Sequence, residues 1–95
     1  MSIGACHKQT RMFQVRPCVA GNSGFHGDEY WIPTKRLSDQ PLTQEAILFA
    51  LQGLIDVASI HPRWFFCIKH PQLLSLLGKV PPNVLLTGVK ACGTV

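Results

Sequence analysis

The chain has 95 residues, of which 46% are apolar and 15% charged, with nine Lys and Arg against five Asp and Glu for a net charge of +4. That length holds one core built from one sheet and one or two helices, so a single domain spanning 1–95 is expected. The apolar share excludes a disordered chain and the basic balance excludes an acidic nucleic-acid mimic, while charge falls short of the roughly 25% of ordinary soluble domains.

Residues 10–19 place Phe13, Val15 and Val19 on one parity and Arg16 on the other, the alternation of a half-buried strand. Gly21-Asn22-Ser23-Gly24 is turn chemistry, and residues 29–37 read as a second strand in which Pro33 demands an edge or a bulge. The two strands are expected to form an antiparallel hairpin. Helix-start signals follow, with Asp39 or Thr43 as N-cap and Glu45 in the first turn, where the positive helix end favours it. The main helix is expected from Thr43 to Ile60 and is ended by His61-Pro62. Its apolar positions cover most of the surface and leave a narrow polar stripe of Glu45, Gln52, Asp56 and Ser59. Phe49 stands inside that stripe, either under a covering loop or as an exposed anchor for a partner.

Residues 63–69 are apolar on both parities and so read as a central strand. Pro71 to Gly78 has proline at its start and glycine past its end, the asymmetry of a short helix. Lys79 to Asn83 is a stiff connector, Val84 to Val89 a last strand and Lys90 to Val95 a tail. The expected fold class is therefore α+β: a small single-layer mixed or antiparallel sheet packed against one main helix, in the order β-β-α-β-α-β.

Met1 to Lys8 lacks the basic start and apolar run of a signal peptide, so a cytoplasmic location is expected. The longest nearly uncharged stretch, Ala46 to Ile60, is shorter than the roughly 20 residues of a membrane span. Cys6, Cys18, Cys67 and Cys92 would allow three pairings in an exported protein; without an export signal, reduced thiols are expected.

Chemical motifs are sparse. Gly21-x-x-Gly24 precedes a strand rather than a helix, so it is a hairpin loop and not a phosphate loop. A closed antiparallel hairpin would bring Cys18 toward Asp28 or Glu29 with His26 nearby, the pieces of a nucleophile site, although buried cysteines and solvated acids are the commoner arrangement. Cys67-x-x-His70 has zinc-ligand spacing, but further ligands would have to come from Cys6-His7 or His26 in distant segments. No catalytic, metal or cofactor residue is assigned, and the protein is expected to be non-enzymatic.

Charge is distributed unevenly. Residues 1–27 carry Lys8, Arg11 and Arg16 and no acid, residues 57–95 carry Arg63, Lys69, Lys79 and Lys90 and no acid, and all five acids lie from Asp28 to Asp56. Basic residues are accordingly expected on the sheet side, away from the acidic helix stripe.

Pro62 to Val89, with Lys69-x-Pro71, a leucine-rich turn, Pro81-Pro82-Asn83-Val84 and Gly88-Val89, resembles one strand-helix-strand unit of a phage family of presumed radical-SAM type. The resemblance implies the fold of that unit; the four scattered cysteines supply no iron–sulfur cluster, so no cofactor is carried over.

The expected function is protein binding, as an accessory or inhibitory factor of phage or bacterial type, through Tyr30, Trp31, Lys35, Arg36 and Phe49, because aromatic and arginine side chains anchor interfaces. Self-association through the exposed edge of the Pro33 strand, giving a homodimeric structural protein, is one alternative. The other is a small basic nucleic-acid binder using Arg11, Arg16, Lys35 and Arg36 on phosphates.

Overall fold

The computed structural model describes residues 10–80 and 88–92. The strands are β1 (Arg11–Val19), β2 (Gly24–His26), β3 (Glu29–Leu37), β4 (Gln40–Pro41), β5 (Trp64–Ile68) and β6 (Val89–Ala91), and the helices are α1 (Gln44–Ser59) and α2 (Pro71–Leu77). They form a mixed sheet in the order β2-β3-β1-β5-β6, with β4 also on β3, packed against both helices. The observed succession is β-β-β-β-α-β-α-β, which corrects the expected order by two short strands.

The larger correction is direction. β1 and β3 run parallel, Gln14 opposite Glu29 and Cys18 opposite Pro33, and are not the two arms of a hairpin. The hairpin belongs to β2 and β3, with Phe25 opposite Tyr30 and His26 opposite Glu29. Its loop is Gly27-Asp28, with Gly27 at φ +63°, the sign a tight two-residue connection needs at its first position. β3 is thereby inserted between β2 and β1. Three residues of β2 are too few to show period-2 patterning, so the chain's reversal within 20–28 is silent in the hydropathy.

Pro33 does sit at a bulge. The Lys35 carbonyl accepts from the Ala20 amide at 2.7 Å and the Thr34 carbonyl from the Leu42 amide at 2.9 Å, so alternation turns the Pro33 nitrogen toward β1. The β1–β3 register slips there, between Cys18 and Val19. β3 is an interior strand, flanked by β1 on one side and on the other by β2 at Glu29, Tyr30 and Trp31 and by β4 at Lys35 and Leu37.

Two crossovers complete the sheet, β3-α1-β5 and β5-α2-β6, and both step the same way across it. Right-handed crossovers taken in one direction place their helices on one face. Accordingly Ile47, Leu51, Leu54 and Ala58 of α1 and Leu73, Leu76 and Leu77 of α2 share one core with Phe13, Val15, Ile32, Phe66, Ile68 and Val89 of the sheet. The helix limits follow from local chemistry: the Thr43 hydroxyl accepts from the Ala46 amide at 3.2 Å, and the cap at the other end is Ile60, just before His61-Pro62. The last strand, β6, begins at Val89 and runs into what reads as tail, while Pro81 to Thr87 lie outside the described residues.

Among the described residues, the opposite face of the sheet carries no helix. On it β5 and β6 are stapled: Cys67, opposite Lys90, is disulfide-bonded to Cys92, with the Cα atoms 5.3 Å apart, and the Met12 sulfur lies 3.8 Å from the Cys67 sulfur. The expectation of reduced thiols is overturned at these two positions because parallel register brings residue 67 beside the end of β6. Cys18 has no disulfide partner among the described residues, and Cys6 lies outside them.

Candidate partner-binding groove

An apolar groove of about 400 Å³ runs between α1 and the outer side of β3. Its sheet wall is Tyr30, Trp31, Ile32 and Pro33, its floor includes Leu42, and its helix wall is Ala46, Phe49, Ala50 and Gly53. The helix wall is set by spacing: positions 46, 50 and 53 follow the i, i+4, i+7 rule onto one stripe, and their small side chains leave the space open. Phe49 borders that stripe and is 80% exposed, so no loop among the described residues covers it. A large aromatic left in water forgoes roughly 2 kcal/mol of burial.

Tyr30 is anchored differently. Its ring packs edge-on to Phe25 at 4.7 Å and to Phe66 at 5.8 Å, and burial pushes its hydroxyl pKa above the ordinary value of 10.0. Trp31 is held in place by three neighbours: its indole N–H donates to Glu29 Oε1 at 2.8 Å, His26 stacks on it at 4.0 Å, and Arg16 donates to the other Glu29 oxygen at 3.1 Å. His26 also bonds the Asn22 carbonyl at 2.8 Å. The contacts of Tyr30 hold the groove side of β3 in place before anything binds, whereas those of Trp31 lie on the helix-free face.

Of the five residues expected to bind a partner, the lining of this groove includes Tyr30, Trp31 and Phe49, with the Trp31 indole turned to the helix-free face. Lys35 and Arg36 lie farther along β3, where Arg36 donates to Gln40 Oε1 at 3.3 Å. The small residues of the helix wall were the missing signal, legible only as the 46, 50, 53 spacing once Phe49 is known to be exposed.

The four residues expected to contact nucleic acid do not form one surface. Strand alternation puts Arg16 and Lys35 on the helix-free face with Trp31, whereas Arg11 leans over the Phe13 ring at 4.7 Å on the other face. Arg11 also lies 3.7 Å from Asp28, and Arg16 is paired with Glu29. Lys90, over the Phe65 ring at 4.8 Å, adds a further cation to the helix-free face.

Parallel pairing dissolves the nucleophile constellation. Glu29 stands opposite Gln14, four residues along β1 from Cys18, or about 13 Å. Burial also pushes the Cys18 thiol above its ordinary 9.0, which keeps it protonated and weakly nucleophilic at neutral pH. Cys67 is consumed by its disulfide and cannot join His70 on zinc. Among the described residues, no three His, Cys, Asp or Glu side chains gather closely enough to hold a metal ion.

Comparison with protein-family models, with curated proteins and with solved structures finds no match to this chain.

Proposed function

We propose that this protein is a non-enzymatic binding module that takes an apolar side chain of another protein into the groove between α1 and β3, as an accessory or inhibitory factor. The observation that carries this reading is Phe49, 80% exposed on the rim of an apolar groove whose other wall holds Tyr30. Aromatics around a preformed apolar pocket are the usual composition of an interface hot spot, and an exposed apolar patch is a liability unless something covers it. The nucleic-acid reading has less support, because Arg11 and Arg16 already face carboxylates. The homodimer reading has less support, because β2 and β4 already pair both ends of the β3 edge.

No helix among the described residues is long and apolar enough to cross a membrane. The Cys67–Cys92 bond is of the kind maintained in oxidising compartments, which weighs against the cytoplasmic setting expected from the N-terminal residues.

Capture of the partner from the native host tests the proposal. A stoichiometric protein retained by the wild type and lost with Phe49→Ala supports it; retention by that variant, or recovery of nucleic acid in place of protein, overturns it.

A further inference from the structure

A second region, sharing no lining residue with the groove, lies at the carboxyl ends of the parallel strands. β1 and β5 pair from Arg11 opposite Trp64 to Val15 opposite Ile68, and then separate, because Lys69-His70-Pro71 turns away into α2 while β1 continues to Val19. The chain leaving β1 passes to the β3 side of the sheet and the chain leaving β5 passes to the β6 side. Such a reversal opens a crevice between strand ends, the place where open parallel sheets bind small ligands.

The crevice has two lobes. One, of about 440 Å³, is lined by Gln14, Val15, Arg16, Pro17, Lys69 and His70. The other, of about 320 Å³, reaches from Pro17 and His70 to Cys18, Thr34, Lys35 and Gln72. Both fall in the size range of small-molecule sites. Arg16, Lys35 and Lys69 bring positive charge to the lining, which contains no Asp or Glu. The one carboxylate in contact is Glu29, which holds Arg16 at 3.1 Å and leaves other guanidinium N–H groups free to donate. His70 forms the wall common to both lobes, and its Nδ1 is buried without a hydrogen-bond partner among the described residues. Thr34, only 4% exposed, and Gln72 place a hydroxyl and an amide in the second lobe.

We propose that this crevice binds a small phosphate monoester with a hydroxyl-bearing body, of the sugar-phosphate class. The phosphate sits in the first lobe between Arg16 and Lys69, where cationic donors match its oxygens. The body lies in the second lobe, within reach of Thr34, Lys35 and Gln72, with His70 as the wall between the lobes. Cys18 enters only as a neutral wall residue.

The test is a heteronuclear NMR titration of the intact protein with inorganic phosphate, ribose 5-phosphate and unphosphorylated ribose. Saturable shifts centred on Lys69, His70 and Thr34, tighter for ribose 5-phosphate than for phosphate and absent for ribose, are expected. Lys69→Ala should weaken binding about 10-fold or more, whereas Lys79→Ala, outside the crevice, and Phe49→Ala, in the partner groove, should leave it unchanged. No saturable shift at 10 mM of either phosphate compound, shifts scattered over surface lysines, or equal weakening by Lys69→Ala and Lys79→Ala overturns the proposal. Because Phe49→Ala separates the two regions, loss of partner capture and loss of phosphate binding are read independently.

Discussion

Phe49 of α1 and Tyr30 of β3 border the same groove from opposite walls, one almost fully in solvent and the other locked against Phe25 and Phe66. The pair therefore separates binding from folding. Phe49→Ala should leave the thermal midpoint within about 2 °C of wild type, since surface substitutions commonly change stability by no more than ~0.5 kcal/mol. Tyr30→Ala, which opens the aromatic cluster, should lower stability by about 3 kcal/mol in denaturant unfolding.

The disulfide between Cys67 and Cys92 closes a loop with a sequence separation of 25. Chain entropy alone assigns such a cross-link about 3 kcal/mol. Reduction, or Cys67→Ser with Cys92→Ser, should therefore lower the urea midpoint with little change in the helix signal, because the bond lies on the sheet face away from both helices. An unchanged midpoint would mean the thiols are not joined in solution.

Gly88 occupies a position that no other residue suits. Its φ is +88°, and a Cβ there would stand 2.7 Å from the Trp64 carbonyl oxygen, a backbone atom that cannot swing aside. Its own carbonyl accepts the Phe66 amide at 2.9 Å, so any shift of Gly88 disturbs the β5–β6 join. Gly88→Ala should cost about 2 kcal/mol or more. By contrast Thr43→Ala, which removes only the cap to Ala46, should cost about 1 kcal/mol.

Alkaline pH should destabilise the fold. Burial raises Tyr30 above 10.0 and Cys18 above 9.0, so on raising the pH the unfolded chain gives up these protons before the native one does. Their contribution to stability is complete below about pH 9 and declines as pH climbs past the unfolded values toward the raised native ones. Unfolding at pH 8 and pH 10.5 checks this, and Tyr30→Phe with Cys18→Ala should flatten the decline.

The parts of the fold legible in the sequence are those set by neighbouring residues. Thr43, Glu45 and His61-Pro62 fix both ends of α1, and the apolar parity of 64–68 marks a central strand. Pairing direction is another matter: the alternation of Phe13 and Val15 is the same whether β3 arrives parallel or antiparallel. The reversal that decides it is carried by β2, three residues long, and by Gly27. The disulfide and the crevice share this dependence on register, which sets Cys67 beside Cys92 and brings Lys69-His70 alongside Arg16-Pro17. Tyr30, Trp31 and Phe49 were identifiable as candidates by residue type, but their gathering around one groove depends on where α1 lies across the sheet.

The claim that the groove is a protein-binding site is tested most directly by site-specific photo-cross-linking in the native host, with a benzophenone side chain placed at position 49 and, as a control on the same helix, at position 56. One discrete adduct with another protein from position 49, and none from position 56, is the predicted result. An adduct of twice the chain's own mass would replace the foreign partner with a second copy. No adduct from position 49, or the same adducts from both positions, would contradict the account.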